Sequence, residues 1–532
     1  MNPQPISFGS RSIAAILLMA AMVAACKEPA EGPGGDSRPQ ETTYATVSIV
    51  PDRETMYRNP FSGWVIYSGL GDGLSDNFWQ EYDNMDSAVG KVKVSDYANA
   101  LLIRSNWSQA EPEEGLYFWD EACNTKPARR FRMLRDGARA RGLKLIFQLR
   151  TDSRDLHENA CPDYVRAKGA KGFESTTGSA KVWTPYPDDP VFQQCYEKFL
   201  RAFAKEFNNP DEVDWMGSWG IGKWGEYHSC IYSTGDETPR EPVFDYFSDL
   251  FLEIFDKVPV CINFHKAIGT GSGDKTDPDS QRLVQKGIDK GLCLTSGAFG
   301  MHGYYGSWEK GFIHTQKWKV PIHAEGGWVR ASHSMSAINN DGYKDWAEVR
   351  RGEFDDARDA CANTMDFRYN SNIGMGETWS WFNEAYDLVL EAIRTQFYRL
   401  YPDRIVLPEK AATGSTAKIE HRWVNLGWAY CPTNIKPFKD RFRLGFGLLD
   451  PSTGKPVYIF YDDAAKPCDW TYGTPKSYTF SPTLSGVKAG RYEWGVAILD
   501  LSRSTPVPGI QIAAKREKTA DGWMKLSEVT VE

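Results

Sequence analysis

The sequence has few features of metal-binding, nucleotide-binding or nucleic-acid-binding proteins. Its ten cysteines never occur as C-x-x-C, so a common ligand spacing of zinc sites is missing. No G-x-G-x-x-G motif follows the first predicted strand, which argues against a dinucleotide-binding fold. Acidic residues outnumber basic ones by 70 to 62, and a net charge of −8 argues against a nucleic-acid partner. We therefore expect no cofactor, no resident metal and no nucleic-acid partner.

Apolar runs long enough to span a membrane are also missing. The apolar run at residues 13–25 is shorter than the roughly 20 residues of a membrane-spanning helix, and it is typical of a signal peptide. It ends in Val23-Ala24-Ala25-Cys26, which resembles the bacterial lipobox, in which the cysteine thiol takes a diacylglycerol. The pattern predicts a lipoprotein signal peptide over residues 1–26, lipidation at Cys26 and a flexible tether over 27–45. An ordinary secretory signal with a chance cysteine is the alternative.

These features predict where the mature protein resides. We expect it to be lipid-anchored to a membrane and extracytoplasmic, at the outer membrane, in the periplasm or on the cell surface. Its domains are then in solvent.

Tryptophan, in contrast, is abundant, with 19 residues in 532. Its broad apolar face and single N–H donor suit stacking against sugar rings, and they equally suit packing in a large core. The count alone does not separate these two uses.

Apolar strand-like runs alternate with helical patterns over the larger part of the chain. In residues 191–207 the apolar positions recur every three or four residues, after an Asp189-Pro190 helix start. The predicted strands are residues 64–67, 100–104, 144–149, 215–219, 258–264, 292–296, 320–324 and 373–379. Eight such strands predict an α/β fold, a (β/α)₈ TIM barrel over residues 46–405, with a doubly wound open sheet as the competing fold.

The pattern changes near residue 405. Short strands with intervening turn signals follow, including Asp450-Pro451 and Ala489-Gly490. They predict a small all-β sandwich over residues 406–532, which we interpret as an accessory domain.

The reactive groups of barrel enzymes lie at the C-terminal ends of the strands. Carboxylates, an arginine, histidines and aromatic residues follow the predicted strands, a combination that suits a carbohydrate substrate. The candidate catalytic residues are Glu226 and Glu325, and the candidate substrate-binding residues are Arg104, Trp107, His228, Asn263, His302, Tyr304, Trp328, Glu377 and Trp379.

Glutamates after strands 4 and 7 of a barrel resemble the catalytic pair of clan A glycoside hydrolases. The resemblance implies that Glu226 is the acid/base and Glu325 the nucleophile, supported by Arg104, Tyr304 and Trp379. Residues 107–120 also resemble the strand 2 exit of family 42 β-galactosidases. The motifs Asn59-Pro60…Gly63-Trp64, Gly222…Trp224-Gly225-Glu226…His228 and Gly490-Arg-Tyr492…Ile498-Leu-Asp500 resemble a family of bacterial barrel lipoproteins, domain of unknown function 4832.

The resemblance implies a retaining glycoside hydrolase that acts on an extracellular oligo- or polysaccharide. In such enzymes one carboxyl protonates the leaving oxygen and the other attacks the sugar, and the two stand about 5–5.5 Å apart. We expect Arg104 to keep Glu325 ionised through a charge-assisted hydrogen bond, and Tyr304 to hold the nucleophile in position.

One departure from the clan pattern leaves alternatives open. Clan A enzymes usually carry an asparagine before the acid/base, to bind the sugar 2-hydroxyl, and here the residue is Gly225. Either Asn263 or His228 makes that contact, or Glu226 is not the acid and Glu377 is the reserve carboxylate. Two further hypotheses are a non-catalytic glycan-binding lipoprotein and a metal-dependent hydrolase or lyase using histidines and a glutamate.

Overall fold

The computed structural model describes residues 43–71, 73–217, 219–271, 276–368 and 376–532. The predicted signal peptide, Cys26 and nearly all of the predicted tether lie outside these residues. Within the described ranges, no helix combines the length and apolar character needed to cross a bilayer.

Eight parallel strands form a closed barrel. They are β1 (Gly63–Gly69), β2 (Ala98–Asn106), β3 (Lys144–Arg150), β4 (Val213–Met216), β5 (Cys261–Asn263), β6 (Cys293–Phe299), β7 (Ile322–Gly326) and β8 (Thr364–Asp366). The hydrogen-bonded order is β5-β6-β7-β8-β1-β2-β3-β4, and a parallel bridge between Met216 and Val260 joins the last strand to the first. The predicted (β/α)₈ fold is therefore confirmed.

Helices surround the barrel, and their apolar faces cover the strands. The longer ones are Lys126–Ala140, Pro190–Phe207, Arg240–Ile254, Pro278–Lys290, Ser307–Gln316, Trp346–Asp359 and Gly376–Glu384. Shorter helices are Phe78–Tyr82, Trp107–Ala110, Asp163–Ala167, Met335–Asn340 and Tyr386–Glu391. In Pro190–Phe207 the Asp189 carboxylate caps the first turn by accepting a hydrogen bond from the Phe192 N–H at 2.9 Å. The predicted helix start is therefore confirmed.

The prediction of the eighth strand at residues 373–379 was wrong. Gly376–Glu384 is a helix, residues 369–375 lie outside the described ranges, and the strand is Thr364–Asp366. The helix is fixed by tertiary contacts, because the buried Arg350 guanidinium pairs with Glu377 on this helix and with Glu353 on its own. Residues two apart on a helix point in different directions. Accordingly, Trp381 is buried and Trp379 is 39% exposed, so they do not share a face.

The fourth strand also differs from its prediction. It spans Val213–Met216 rather than residues 215–219, and Gly217 and Trp219 lie outside the strand, on the way to the loop that leaves the barrel. This loop carries Glu226.

Two mainly antiparallel sheets, formed largely by residues after the barrel, pack as a β-sandwich. One has the order Tyr44–Ser48, Leu400–Pro408, Ile419–Asn425, Lys476–Phe480. The other has the order Lys410–Ala411, Met524–Val531, Gly490–Asp500, Phe442–Leu449, Pro456–Asp462, with Val507–Ile510 also paired to Gly490–Asp500. The ring of Phe446 packs between His421 and Phe480 of the opposite sheet, at centroid distances of 5.1 and 5.9 Å.

Both limits of the predicted barrel range, 46–405, fall within strands of the sandwich. Tyr44–Ser48 pairs antiparallel with Leu400–Pro408, so this strand belongs to the sandwich although it precedes the barrel in sequence. The predicted boundary at residue 405 falls inside Leu400–Pro408. Two β-hairpins lie in the loops of the barrel: Met85–Ser87 with Gly90–Val92, and Gly172–Thr177 with Ala180–Pro185.

Candidate active site

Two adjoining cavities open at the C-terminal ends of the barrel strands. The first, about 330 Å³, is lined among others by Glu226, His228, Asn263, His265 and Tyr304, and we call it the carboxylate pocket. The second, about 610 Å³, is lined among others by Arg130, Arg150, Asp155 and Glu158, and we call it the arginine pocket. Arg104, Trp224 and Arg368 line both and form the wall between them.

Glu226 is carried by a strained loop after β4. Positive φ angles occur at Gly220, Gly222, Trp224, Gly225, Tyr227 and Ser229. Non-glycine residues in this region cost of order 1–3 kcal/mol each, and such strain clusters at functional sites. Two hydrogen bonds hold the loop: Trp224 Nε1 donates to Asp155 at 3.0 Å, and the Tyr227 hydroxyl donates to the Arg240 carbonyl at 2.9 Å.

Gly225 has a physical reason to replace the asparagine of the clan pattern. Its φ is +81°, and a Cβ at this position would lie 2.5 Å from the Leu149 carbonyl oxygen. Both the backbone conformation and the lack of space require glycine. The departure is therefore a property of the loop that presents Glu226.

The Glu226 carboxylate is surrounded by three polar side chains. Arg104 Nη2 lies 3.5 Å from Oε1, and His228 Nε2 and Asn263 Nδ2 lie 3.5 and 3.4 Å from Oε2. Burial raises the pKa of Glu226, but the hydrogen bond from His228 and the charge of Arg104 outweigh it. The net effect is a pKa below the usual glutamate value. His228 and Asn263 thus both lie beside the carboxylate, and the predicted contact of one of them with the sugar 2-hydroxyl stays a prediction.

Glu325, at the C-terminal end of β7, pairs with an arginine that the sequence reasoning missed. Arg368 Nη1 lies 2.8 Å from Glu325 Oε1. The expected hydrogen bond from Arg104 to Glu325 was wrong, because Arg104 donates to the Tyr67 hydroxyl at 3.0 Å, to the Trp224 carbonyl and to Glu226. Arg368 lies two residues after β8, so the misplaced eighth strand concealed it.

The two glutamates lie within range of each other's charge. Burial raises the pKa of Glu325, the charges of Arg368 and Arg104 lower it, and the charge of Glu226 raises it further. The net effect is a pKa above the usual glutamate value. When the pair carries a single proton, that proton therefore favours Glu325 over Glu226.

Tyr304 lines the carboxylate pocket and is 38% exposed. Its ring lies beside that of His265, with the centroids 6.3 Å apart. The described contacts therefore place Tyr304 on the His265 side of the pocket. The residue seen to contact Glu325 is Arg368, and the role expected of Tyr304 in holding Glu325 stays a prediction.

Two predicted substrate-binding tryptophans are core residues. Trp107 is fully buried, donates to Glu111 at 2.8 Å and packs against Tyr196. Trp328 is also buried and donates to the Gly300 carbonyl at 2.8 Å. The expectation that they bind substrate was wrong, because both rings are covered by protein and both N–H donors are used within it.

Three other candidates lie outside the two pockets. Glu377 is fully buried, pairs with Arg350 and accepts a hydrogen bond from the Arg330 N–H at 2.7 Å, so it is a structural group and not a reserve carboxylate. His302 bonds to the Asp341 carbonyl at 2.9 Å. Trp379 lies under the Arg330 guanidinium at 5.4 Å, on the helix that replaces the predicted strand.

The histidines of the metal hypothesis do not gather at one point. His228 and His265 stack with ring centroids 5.5 Å apart, whereas His302 bonds to Asp341. Within the described ranges, no group of three or more His, Cys, Asp or Glu side chains is arranged to hold a metal ion.

No protein-family model and no curated protein matches the sequence. Similar solved structures include the lactosyl-enzyme intermediate of endo-glycoceramidase II from Rhodococcus sp., with 12% identity, a TM-score of 0.37 and coverage of 81% of this chain and 100% of that chain. The exo-β-1,4-mannosidase Op5Man5 from Opitutaceae bacterium strain TAV5 has 12% identity, a TM-score of 0.34 and coverage of 60% and 55%. A GH30 endoxylanase from Clostridium papyrosolvens C71 has 11% identity, a TM-score of 0.32 and coverage of 82% and 97%. Similarity at this level carries no information about the substrate.

Gly225→Ala tests the strained loop, with Gly235→Ala as its matched control. Gly235 also has a positive φ, +78°, but open space surrounds its Cβ position. We expect G235A to cost about 1–2 kcal/mol of unfolding free energy, from backbone conformation alone. G225A should cost at least about 1 kcal/mol more, because the new methyl group meets the Leu149 carbonyl. Equal losses in denaturant unfolding would contradict the steric account.

Proposed function

We propose that this protein is a retaining glycoside hydrolase that acts on an extracellular oligo- or polysaccharide through Glu226 and Glu325. The observation that carries the proposal is that Glu226, in the loop after β4, lines a pocket of about 330 Å³ and lies within range of the charge of Glu325, at the end of β7. Each has its own guanidinium partner, Arg104 for Glu226 and Arg368 for Glu325. A pair of carboxyl groups at one sugar is the requirement of glycoside hydrolysis.

Solvent access supports the assignment of roles within the pair. The acid/base must reach the leaving oxygen and then activate a water molecule, so it needs the more open position. The Glu226 side chain is 12% exposed and lines the pocket, whereas that of Glu325 is 3% exposed. We therefore assign Glu226 as the acid/base and Glu325 as the nucleophile. Because the pKa directions of the protein alone favour the proton on Glu325, these roles require the proton to lie on Glu226 when the glycan is bound.

Asn263 and His228 are the groups proposed to orient the sugar. Asn263 donates to Glu226 and keeps its Oδ1 atom without a hydrogen-bond partner in the described protein, so that this oxygen is available to accept from a sugar hydroxyl. His228 contacts Glu226 and the Ser229 hydroxyl and borders the same pocket. Together they take the place of the asparagine that Gly225 excludes.

We further propose that the mature chain is anchored to a membrane by lipid at Cys26 and faces an extracytoplasmic compartment. The support is the lipobox-like sequence and the resemblance to domain of unknown function 4832, a barrel lipoprotein family. An extracellular glycan is the substrate class that such a location offers.

Glu325→Gln and Glu226→Gln test the pair directly, with the exposed Glu206→Gln as control. The substrates are aryl-glycosides and plant, host and microbial polysaccharides, and release of reducing ends is the measurement. We expect E325Q to lose at least about 10³-fold in turnover, because no nucleophile remains, while it keeps its fold and glycan binding. E226Q should lose most activity on unactivated glycans, and E206Q none. Full activity in E325Q contradicts the proposal, as does glycan binding by the wild type without hydrolysis.

The pKa directions predict the pH dependence. Turnover requires a proton on Glu226 and a charge on Glu325, so the active form is a singly protonated pair. As the pH falls through the lowered pKa of Glu226 the pair gains a second proton, and as it rises through the raised pKa of Glu325 the pair loses its last one. kcat/KM should therefore be bell-shaped, with limbs on either side of the usual glutamate value of about 4.5.

Arg104→Met supplies the check on this profile. The Arg104 charge lowers both pKa values, so its removal should shift both limbs to higher pH. The exposed Arg282→Met should leave both limbs in place. Limbs that do not move in R104M would show that these two carboxyl groups do not control the profile.

A further inference from the structure

The arginine pocket is rich in positive charge, although the chain as a whole has a net charge of −8. Its lining contains five lysine and arginine residues and two carboxylates, Asp155 and Glu158. Both carboxylates are engaged: Asp155 bonds to Lys223 at 2.9 Å, and Glu158 accepts from Asn106 and Gln109 at 3.1 and 2.9 Å. The pocket therefore has a local excess of cations.

Most of the arginines in this lining are compensated by protein groups. Arg104 and Arg368 face Glu226 and Glu325. Arg130 donates to the backbone carbonyls of residues 70, 71 and 74. These three side chains have roles in the catalytic pair or in the loop after β1.

Arg150, the last residue of β3, has no direct partner among the described residues, and the charges of Glu158 and Glu226 act on it only from beyond contact distance. In the described parts of the chain, the buried Nε–H of Arg150 has no acceptor. Burial and the neighbouring Arg104 lower the pKa of Arg150 to about 10, so it remains charged at neutral pH. Arg150 is half-buried and lines the pocket, and its buried Nε–H is costly to leave without an acceptor, which a ligand would supply.

We infer that the arginine pocket binds an anionic group, a carboxylate or a sulfate, on the glycan that the carboxylate pocket cleaves. The planar fork of an arginine suits bidentate binding of such oxyanions. Because Arg104, Trp224 and Arg368 line both pockets, a chain that places its scissile bond at Glu226 extends the next sugar toward Arg150. The inference rests on the proposed function for the glycan and for its orientation.

Paired acidic and neutral glycans test this inference. The probes are polygalacturonate with its methyl ester, and chondroitin sulfate with its desulfated form, which separate carboxylate from sulfate recognition. Binding to the E325Q protein is measured by affinity electrophoresis and calorimetry at low and high salt. We expect the acidic member of a pair to bind more tightly than its neutralised partner, with an affinity that falls as salt rises. The inference is overturned when no acidic glycan binds better than its partner.

Arg150→Met in the same background locates the effect, with Arg282→Met on the outer helix Pro278–Lys290 as control. R150M should weaken the binding of the acidic glycan at least tenfold and leave the neutral partner unchanged, and Arg150→Lys should recover part of the loss. Denaturant unfolding of each variant separates binding from folding. Equal binding by R150M and R282M overturns the inference.

The outcomes also distinguish this inference from the proposed function. Hydrolysis of a neutral glycan, unaffected by R150M, rejects the anionic subsite and leaves the hydrolase standing. Arg150-dependent binding of an acidic glycan that the wild type never cleaves supports the subsite and rejects the hydrolase.

Discussion

Two carboxylates that are buried side by side repel each other, and two guanidinium groups make this arrangement stable at the mouth of the barrel. Arg104 faces Glu226 and Arg368 faces Glu325. Burial alone would raise both pKa values and leave two neutral acids. The arginines and His228 restore charge unequally, because Glu226 has more polar partners than Glu325. This unequal compensation lowers the pKa of Glu226 and leaves that of Glu325 raised, so the two carboxyl groups differ before any glycan binds.

The rest of the fold serves to hold these charges in place. The barrel brings the ends of β2, β4, β7 and β8 to one rim although they are far apart in sequence. The strained loop after β4 turns Glu226 toward that rim, and Gly225 allows the loop to pass close to the β3 backbone. The buried Arg350, between Glu353 and Glu377, fixes the helix after β8. Breaking such a buried network by removing one partner costs about 3–5 kcal/mol.

The barrel was predictable because most of its buried strands are continuous apolar runs with helical patterns between them. The eighth strand was not, because Thr364–Asp366 has only three residues and ends in an acid, so it lacks the apolar run by which the other strands were predicted. Tertiary contacts of Glu377 decide that residues 376–379 belong to a helix.

The positions of Glu226 and Glu325 followed from their places after strands. The pairing of Arg368 with Glu325 and the lack of a partner at Arg150 did not follow from the sequence, because both depend on which charges meet across the barrel. Trp107 and Trp328 illustrate the same limit: composition does not reveal whether a tryptophan faces substrate or core.

The central claim is that Glu325 attacks the sugar while Glu226 moves the proton. Its most direct test uses an aryl-glycoside that the enzyme hydrolyses, in its 2-deoxy-2-fluoro form, which slows breakdown of a covalent intermediate. Mass spectrometry of the intact protein and of its peptides then locates the bound sugar. The account predicts one sugar per chain, attached to the peptide that contains Glu325. Attachment of the sugar to Glu226 would contradict the account. So would steady turnover of the parent glycoside by a protein to which the fluorinated glycoside attaches no sugar.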